Sequence, residues 1–270
     1  MDKIFIAYPH LSWNYSKSGR IRNPTSLQSI NQLIDAKVEV IEGVWEHDED
    51  TRNELLEAAR MQGFDWMIIQ DADEFYTQES WLHLKKKIKS SHDYDVINVP
   101  LFTFWKSTEF VIEEPDSGIK AGRACFAVNC MHNHINFEFS RTTNSKSIYF
   151  VDEPCYHYSY VLSDRDVQYK IKTWAHSNDI FSRRLWYQIK WKRWRSKSQH
   201  LHPGSPWVWR RAIRFPLPQP SFAAEIEGYE TVVKDIGLFW ASIELLYDHL
   251  SWWRHVINNL KRLAKATFIS

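Results

Sequence analysis

The first 105 residues alternate between short apolar runs and segments of helical periodicity, and this alternation is the strongest constraint on the fold. Short apolar runs predict strands, whereas apolar residues spaced three and four apart predict helices. A regular alternation of strands and helices indicates an α/β protein with a mostly parallel sheet. The predicted strands span residues 3–7, 38–44, 66–70 and 95–105, and the predicted helices span residues 27–34, 52–62 and 79–90.

The signals after residue 105 are weaker, but they distinguish a second region of the chain. They predict strands at 124–128 and 148–151, a helix at 164–176, a proline-containing loop at 196–222 and one or two amphipathic helices over 229–266. We therefore expect an α/β domain over residues 1–180 and a largely helical extension over residues 181–270.

The overall composition excludes several classes of protein. Thirty-four Lys and Arg side chains nearly balance 33 Asp and Glu side chains, which argues against binding nucleic acid through overall charge. The longest nearly apolar stretch, residues 237–247, is too short to span a bilayer. The apolar run at the N-terminus ends at Tyr8-Pro9 and is too short for a secretory signal, so we expect a cytoplasmic chain. Three cysteines cannot form a disulfide framework, and we expect them to be buried thiols.

Local charge is uneven, because residues 165–215 hold thirteen Lys or Arg and only two Asp. Six of the 14 tryptophans lie in the same window. Basic residues interleaved with Trp suit an anionic membrane surface. They also suit a solvated helix whose Trp side chains pack on the domain, and less well single-stranded nucleic acid. We expect one of the first two and no nucleic-acid partner.

Carboxylates crowd the end of the third predicted strand, in the sequence Gln70-Asp71-Ala72-Asp73-Glu74. Ligands of open α/β sheets bind at this end of the strands. Crowded carboxylates repel one another unless a cation offsets their charge. Hard divalent cations take oxygen ligands and share them with substrate phosphates. The pattern favours a site for a metal-bound phosphate ester, and the alternative is a polar loop that caps the next helix.

These residues resemble the GT-A glycosyltransferases of the family-2 type, in which a short Arg-Asn helix motif precedes an apolar strand ending in Asp-x-Asp. The corresponding segments here are Thr51-Arg52-Asn53 and the strand that leads to Asp71-Ala72-Asp73. Downstream, Tyr156-His157-Tyr158-Ser159-Tyr160 and residues 166–176 resemble a pattern of the family-17 N-acetylglucosaminyltransferases. The resemblance covers roughly residues 1–180 and implies a mostly parallel twisted sheet of the GT-A type, flanked by helices.

The resemblance also implies an activity and a set of site residues. The activity is metal-dependent, inverting transfer of a sugar from a nucleotide-sugar, a UDP-sugar being favoured, to a glycan or lipid-linked acceptor. Asp71, Asp73 and His157 would hold Mn²⁺ or Mg²⁺. Donor binding is assigned to residues of the first strand, the second loop, the helix and the carboxylate turn, namely Ala7, Tyr8, Glu46, Arg52, Asp71 and Asp73.

An inverting transfer needs a carboxylate as general base for the acceptor hydroxyl. The candidates between the carboxylate motif and His157 are Glu114, Asp116, Glu138, Asp152 and Glu153. Asp152 and Glu153 are favoured because they lie beside the segment Tyr156-His157. Peripheral attachment to an anionic membrane through the C-terminal region is expected as well. Two alternatives stay open, namely a nucleotidyltransferase and a non-catalytic carbohydrate- or membrane-binding protein.

A smaller cluster combines Cys130, His132 and His134, which could contribute to a zinc site. The sequence offers no evident fourth ligand, so we expect these side chains at an acceptor pocket or on the surface.

Overall fold

The chain divides into two compact units that interleave along the sequence. The computed structural model describes residues 2–12, 20–32, 34–91, 93–120, 122–173, 177, 180–226 and 236–267, and of residues 259 and 261–267 the backbone alone. Unit 1 comprises Met1–Pro100, Arg123–Cys155 and Thr173–Ala175. Unit 2 comprises Leu101–Gly122, Tyr156–Lys172 and His176–Ser270, whereas the sequence prediction divided the chain once, at residue 180.

Unit 1 contains the alternating elements that the sequence predicts, with small shifts at their ends. Its helices begin at capping positions: Thr77 accepts a hydrogen bond from the backbone of Ser80, and acidic residues fill the first turn after His47. The elements before residue 106 are β1 (Ile4–Pro9), α1 (Leu27–Asn31), β2 (Val38–Gly43), α2 (Asp48–Met61), β3 (Trp66–Ile68), β4 (Glu74–Phe75), α3 (Gln78–Ser90) and the first half of β5 (Val96–Trp105). The next strand, β6 (Ser107–Glu113), belongs to unit 2. Unit 1 continues with β7 (Arg123–Asn129), β8 (Phe137–Phe139), β9 (Thr142–Thr143) and β10 (Ile148–Phe150).

The prediction of a mostly parallel twisted GT-A sheet is wrong. The main sheet has eight strands and is mostly antiparallel. In unit 1, β7 runs antiparallel to both β3 and β5, so a strand from later in the chain lies between two strands of the predicted parallel sheet. Parallel pairing is limited in unit 1 to β1 with β2 and β10 with β5, among the described pairs. β5 is buried along most of its length although its partners β6 and β7 run antiparallel to it, so burial of an apolar run does not indicate parallel pairing. β3, whose described pairing is with β7, is only partly buried.

The core of unit 1 lies between α2 and the sheet. Leu56 and Ala59 of α2 pack with Met67 of β3 and Val128 of β7. The three cysteines are buried free thiols, as predicted, and Cys125 and Cys130 belong to this core.

Unit 2 is built around strands β6 and the second half of β5, with helices from the C-terminal region. β6 runs antiparallel to both β5 and β12. The sequence missed β12 inside the predicted loop because a strand reading Arg-Ala-Ile-Arg has charged ends and only two apolar residues. Its elements are β6 (Ser107–Glu113), most of β11 (Cys155–Tyr160), α4 (Asp164–Thr173), α5 (Arg183–Trp186), a π-helical turn (Tyr187–Trp191), β12 (Arg211–Arg214), a 3-10 helix (Ser221–Glu225) and α6 (Gly237–Thr267).

The tryptophans of the basic segment form part of the core of unit 2. Trp186, Trp191 and Trp194 are almost fully buried and pack with Trp105 and Tyr160. For these three side chains, the structure agrees with the interpretation in which Trp packs on the domain.

The C-terminal region is one helix, α6, over the described residues 237–267. The predicted helical residues 229–235 lie outside the described residues. Among the side chains of α6 that the structure describes, nine large apolar ones are exposed: Leu238, Phe239, Leu245, Leu246, Leu250, Trp252, Trp253, Ile257 and Leu260. No helix in the described part of the chain is long and apolar enough to cross a membrane.

Candidate functional site

The Asp-x-Asp motif forms a tight turn between β3 and β4 in unit 1. The backbone N–H of Glu74 donates to the carbonyl of Asp71 at 3.0 Å, which closes the turn. The carboxylate of Glu74 accepts from the backbone N–H of Asp71 at 3.2 Å. Ala72 at the tip is exposed, while Asp71 and Asp73 are half-buried. The turn therefore presents two carboxylates, and Glu74 points back to hold the turn together.

Arg52 connects this turn to helix α2. Its Nη2 donates to both carboxylate oxygens of Asp71, at 3.3 Å each. Its Nη1 lies 3.1 Å from a carboxylate oxygen of Asp48, one helical turn earlier. The Arg52 side chain is 12% exposed, whereas that of Asp71 is 44% exposed. A largely buried guanidinium thus orients a carboxylate that solvent can reach, the arrangement expected if Arg52 positions the Asp-x-Asp motif.

Arg141, which follows the β8 strand, approaches the same turn. Its guanidinium forms a close ion pair with the buried carboxylate of Glu74, and Nη1 lies 3.6 Å from Asp71. Nη2 also donates to the carbonyl of Cys125 at 2.6 Å. Burial opposes the charge of Arg141, but attraction to Glu74 and Asp71 outweighs it and raises the pKa of the guanidinium. Arg141 is therefore a fixed positive charge beside the motif.

A second pair of acids extends the network at the start of α2. Ser140 donates its hydroxyl to Asp48 at 2.9 Å and its backbone N–H to Glu49 at 3.2 Å. Burial and a hydrogen bond with Glu49 raise the pKa of Asp48. Burial also opposes ionisation of Glu49, yet its hydrogen bonds lower the pKa of that group. Ser140 has a φ of 48°, a conformation that non-glycine residues adopt uncommonly.

The turn fits a hard divalent cation better than a soft one. Asp71 and Asp73 offer carboxylate oxygens on one turn, and Mg²⁺ is commonly held by one or two carboxylates plus substrate phosphates. Among the described residues, no group of three or more His, Cys, Asp or Glu is arranged as a complete metal site. The two carboxylates would therefore need phosphate oxygens and water to complete the coordination.

The predicted donor-binding residues at the N-terminal end of the chain take different positions. Ala7 and Tyr8 lie on β1, and the buried Tyr8 donates its hydroxyl to the carbonyl of Thr25 at 2.7 Å. Glu46 is exposed in the loop that leads into α2. Only Arg52 among the predicted donor-binding residues outside the turn has a described hydrogen bond to the Asp-x-Asp carboxylates.

The remaining predicted residues are not gathered at the turn by any described contact. Asp152 and Glu153 follow β10 in unit 1, where Asp152 is exposed and a carboxylate oxygen of Glu153 lies 3.6 Å from His83 of α3. His157 lies on β11 and belongs to unit 2. Its role as a metal ligand stays a prediction.

The His132–His134 cluster is organised by a carboxylate. Nδ1 of His132 lies 2.5 Å from Asp95, and Nε2 of His134 lies 3.5 Å from its second oxygen. The hydroxyl of Ser145 donates to the same carboxylate at 2.6 Å. Asp95 is buried, so the cluster satisfies a buried charge at the start of β5.

Sequence reasoning missed three parts of this network: Arg141, Asp48 and the structural use of Glu74. Arg141 lies 67 residues after Glu74, in a segment that matches no motif. Asp48 was missed because an acid in the first turn of a helix is explained by its interaction with the helix dipole and does not by itself indicate a functional site. Comparison with other proteins adds no further candidates, because neither a protein-family model nor a curated protein sequence matches the chain.

Proposed function

We propose that the chain transfers a sugar from a nucleotide-sugar, with a UDP-sugar favoured, to a hydroxyl of a glycan or lipid-linked acceptor, with Mn²⁺ or Mg²⁺. The observation that best supports this proposal is the contact of Arg52 with the half-exposed Asp71 carboxylate. This contact joins the two segments whose order in the sequence resembles the family-2 glycosyltransferases. The antiparallel main sheet lends no support, so the proposal rests on the site alone.

The residues of unit 1 have separate tasks in this proposal. Asp71 and Asp73 would hold the metal ion, which when bound offsets the negative charge that develops on the leaving diphosphate. Arg52 keeps the Asp71 carboxylate in one orientation through two hydrogen bonds. Glu74 and Arg141 hold the turn from its buried side, because both side chains are buried and form an ion pair with each other. Such fixed charges need little reorganisation during the reaction.

The predicted donor and acceptor contacts remain part of the proposal. Ala7, Tyr8 and Glu46 would contact the nucleotide, and Asp152 or Glu153 would accept the proton of the acceptor hydroxyl in an inverting transfer. Nδ1 of His83 lies 3.6 Å from a carboxylate oxygen of Glu153 and would help to orient that carboxylate. Attachment to an anionic membrane surface is proposed only as peripheral, through the apolar face of α6.

A thermal-shift screen tests nucleotide binding directly. The purified chain is measured with UDP, GDP, CMP and dTDP, each with Mn²⁺ and with EDTA. A ligand at about 100 times its Kd adds roughly 2.7 kcal/mol of stability, which is readily detected. We expect a metal-dependent shift with one nucleotide that is lost in Asp73→Ala. The matched control is Asp65→Ala, an exposed acid that precedes β3.

Turnover distinguishes an enzyme from a binding module. Slow release of nucleoside diphosphate from the matching nucleotide-sugar, without an acceptor, should depend on the metal and on Asp73. A metal-dependent shift without any turnover would favour the binding module. No shift with any nucleotide, or a shift that survives Asp73→Ala, would contradict the proposal.

A further inference from the structure

A cavity of about 610 Å³ lies within unit 2, lined by α6 and by residues 195–207. Its size falls in the range of roughly 300–1,000 Å³ that is usual for small-molecule sites. Trp207, Leu245 and Trp252 supply its apolar lining. Neither the carboxylate turn nor the proposed sugar transfer uses this cavity.

The apolar part of the cavity continues onto the outer surface of α6. Leu245 and Trp252 line the cavity and are also 62% and 47% exposed. The buried side of α6 combines the polar side chains of Glu244 and Ser251 with Tyr247, whereas an apolar stripe is exposed on its outer side. An apolar surface that a chain leaves exposed commonly marks a binding site. Here it provides a path for an apolar chain that leaves the cavity.

Three nitrogen-bearing side chains, those of Arg195, Lys197 and His200, also line the cavity. Lys197 is exposed and forms no ion pair with the described residues. His200 also has a φ of 56°, a backbone conformation that often occurs at ligand sites.

The carboxylates that line the cavity do not oppose an anion. Nζ of the fully buried Lys190 lies 3.1 Å from Glu244 and 2.8 Å from Asp248. Arg195 Nη2 lies 2.7 Å from the second oxygen of Glu244. Both acids are therefore compensated from within the protein, and the charge of Lys197 stays available.

We propose that this cavity binds an amphiphile with one apolar chain and a phosphate head group. The apolar chain would lie against Trp207, Leu245 and Trp252 and leave along α6 past Trp252, in the direction away from Leu238. The phosphate head group would accept hydrogen bonds from the ammonium group of Lys197, an exposed cation of the lining, because hydrogen bonds between charged groups are strong. The inference does not rest on the proposed sugar transfer and is tested without it.

Isothermal titration calorimetry with decyl phosphate, kept below its micelle-forming concentration, tests the proposal on the full chain. Decanol provides the same chain without the head group, and inorganic phosphate provides the head group without the chain. We expect saturable binding of one decyl phosphate per chain, weaker binding of decanol and no measurable binding of inorganic phosphate.

Two variants assign the binding to the cavity. Leu245→Asp places a charge in the apolar lining and should weaken decyl phosphate binding by more than about tenfold. Its matched control is Leu238→Asp, at an 89% exposed position of α6 outside the cavity, which should bind like the parent protein. Lys197→Ala should weaken decyl phosphate by about fivefold and leave decanol unchanged. Leu245 and Lys197 are both exposed, so we expect both variants to fold. An unchanged unfolding temperature checks this.

The outcomes separate this cavity from a general apolar surface. Equal loss of binding in Leu238→Asp and Leu245→Asp would overturn the proposal and assign the effect to the whole face of α6. Equal affinity for decanol and decyl phosphate would overturn the phosphate assignment. No binding of decyl phosphate by a folded protein would overturn the site altogether.

Discussion

The two units each contain a cluster of acids and bases, and the clusters differ in exposure rather than in composition. In unit 1, Asp71 is 44% exposed beside the guanidinium of Arg52. In unit 2, the side chain of Lys190 is completely buried between Glu244 and Asp248. A buried ion cluster is compensated within the protein, whereas a half-exposed carboxylate held by a buried cation can still bind a metal ion. The difference predicts that the Lys190 cluster contributes mainly to stability and that the unit 1 cluster is needed for the proposed metal binding.

The largest expected effect is loss of stability in Lys190→Ala. This change leaves the buried Glu244 and the partly buried Asp248 without the ammonium group that compensates them, and of the two only Glu244 keeps an Arg partner, Arg195. Removal of one partner from a buried ion cluster typically costs about 3–5 kcal/mol. Urea unfolding followed by tryptophan fluorescence measures the loss. A loss below about 1 kcal/mol would mean that the cluster is not the stabilising element inferred from its burial.

The pH dependence of stability sharpens the same comparison, because Glu244 and Asp248 shift in opposite directions. Burial opposes ionisation of Glu244, but attraction to Lys190 and hydrogen bonding with Arg195 lower its pKa. Glu244 therefore contributes stability above its unfolded-state pKa, and this contribution is lost as the pH falls through its lower folded-state pKa. Burial raises the pKa of Asp248, although Lys190 opposes the shift. The folded state then binds that proton more readily, so Asp248 makes a contribution that grows as the pH falls.

Two conservative variants should separate these contributions. Between about pH 5 and pH 3, Glu244→Gln should lose stability less steeply than the parent protein, and Asp248→Asn more steeply. The free energy of unfolding is measured at several pH values, and the slopes are compared rather than the absolute values. If the free energy of unfolding depended on pH with the same slope in all three proteins, the pKa shifts assigned to Glu244 and Asp248 would be wrong.

How far the sequence predicted these regions depends on whether the signal was local. Helix α2 and strand β3 follow from periodicity, and the carboxylate turn follows from its position after β3. The direction of β7 does not follow, because strand pairing joins residues far apart in sequence. Arg141 was missed for the same reason. The tryptophans of residues 186–194 gave an ambiguous signal, since a Trp side chain packed in a core has the same local pattern as one at a membrane surface.

The unit 1 cluster should respond in the opposite way to the unit 2 cluster. Asp71→Asn keeps the shape of the side chain and leaves Arg52 paired with Asp48, and Arg141 with Glu74. We expect a stability loss of less than about 1 kcal/mol, because the carboxylate is largely open to solvent. The metal-dependent nucleotide shift should nevertheless be lost. Asp65→Asn is the matched control, and a nucleotide shift of equal size in both variants would exclude Asp71 from the site.

The smallest expected effect concerns Lys192, two residues after Lys190. Lys192 forms an ion pair with Asp164 in which both side chains are 46% exposed. Exposed pairs typically contribute about 0.2–1 kcal/mol, because water and salt screen the charges. The other oxygen of Asp164 also accepts from Trp191 Nε1 at 2.9 Å, so Lys192→Ala does not leave the carboxylate without a donor. We expect a loss below about 0.5 kcal/mol that disappears in high salt, measured by the same urea unfolding. A loss as large as that of Lys190→Ala would show that charge, and not burial, sets the role of lysines in this segment.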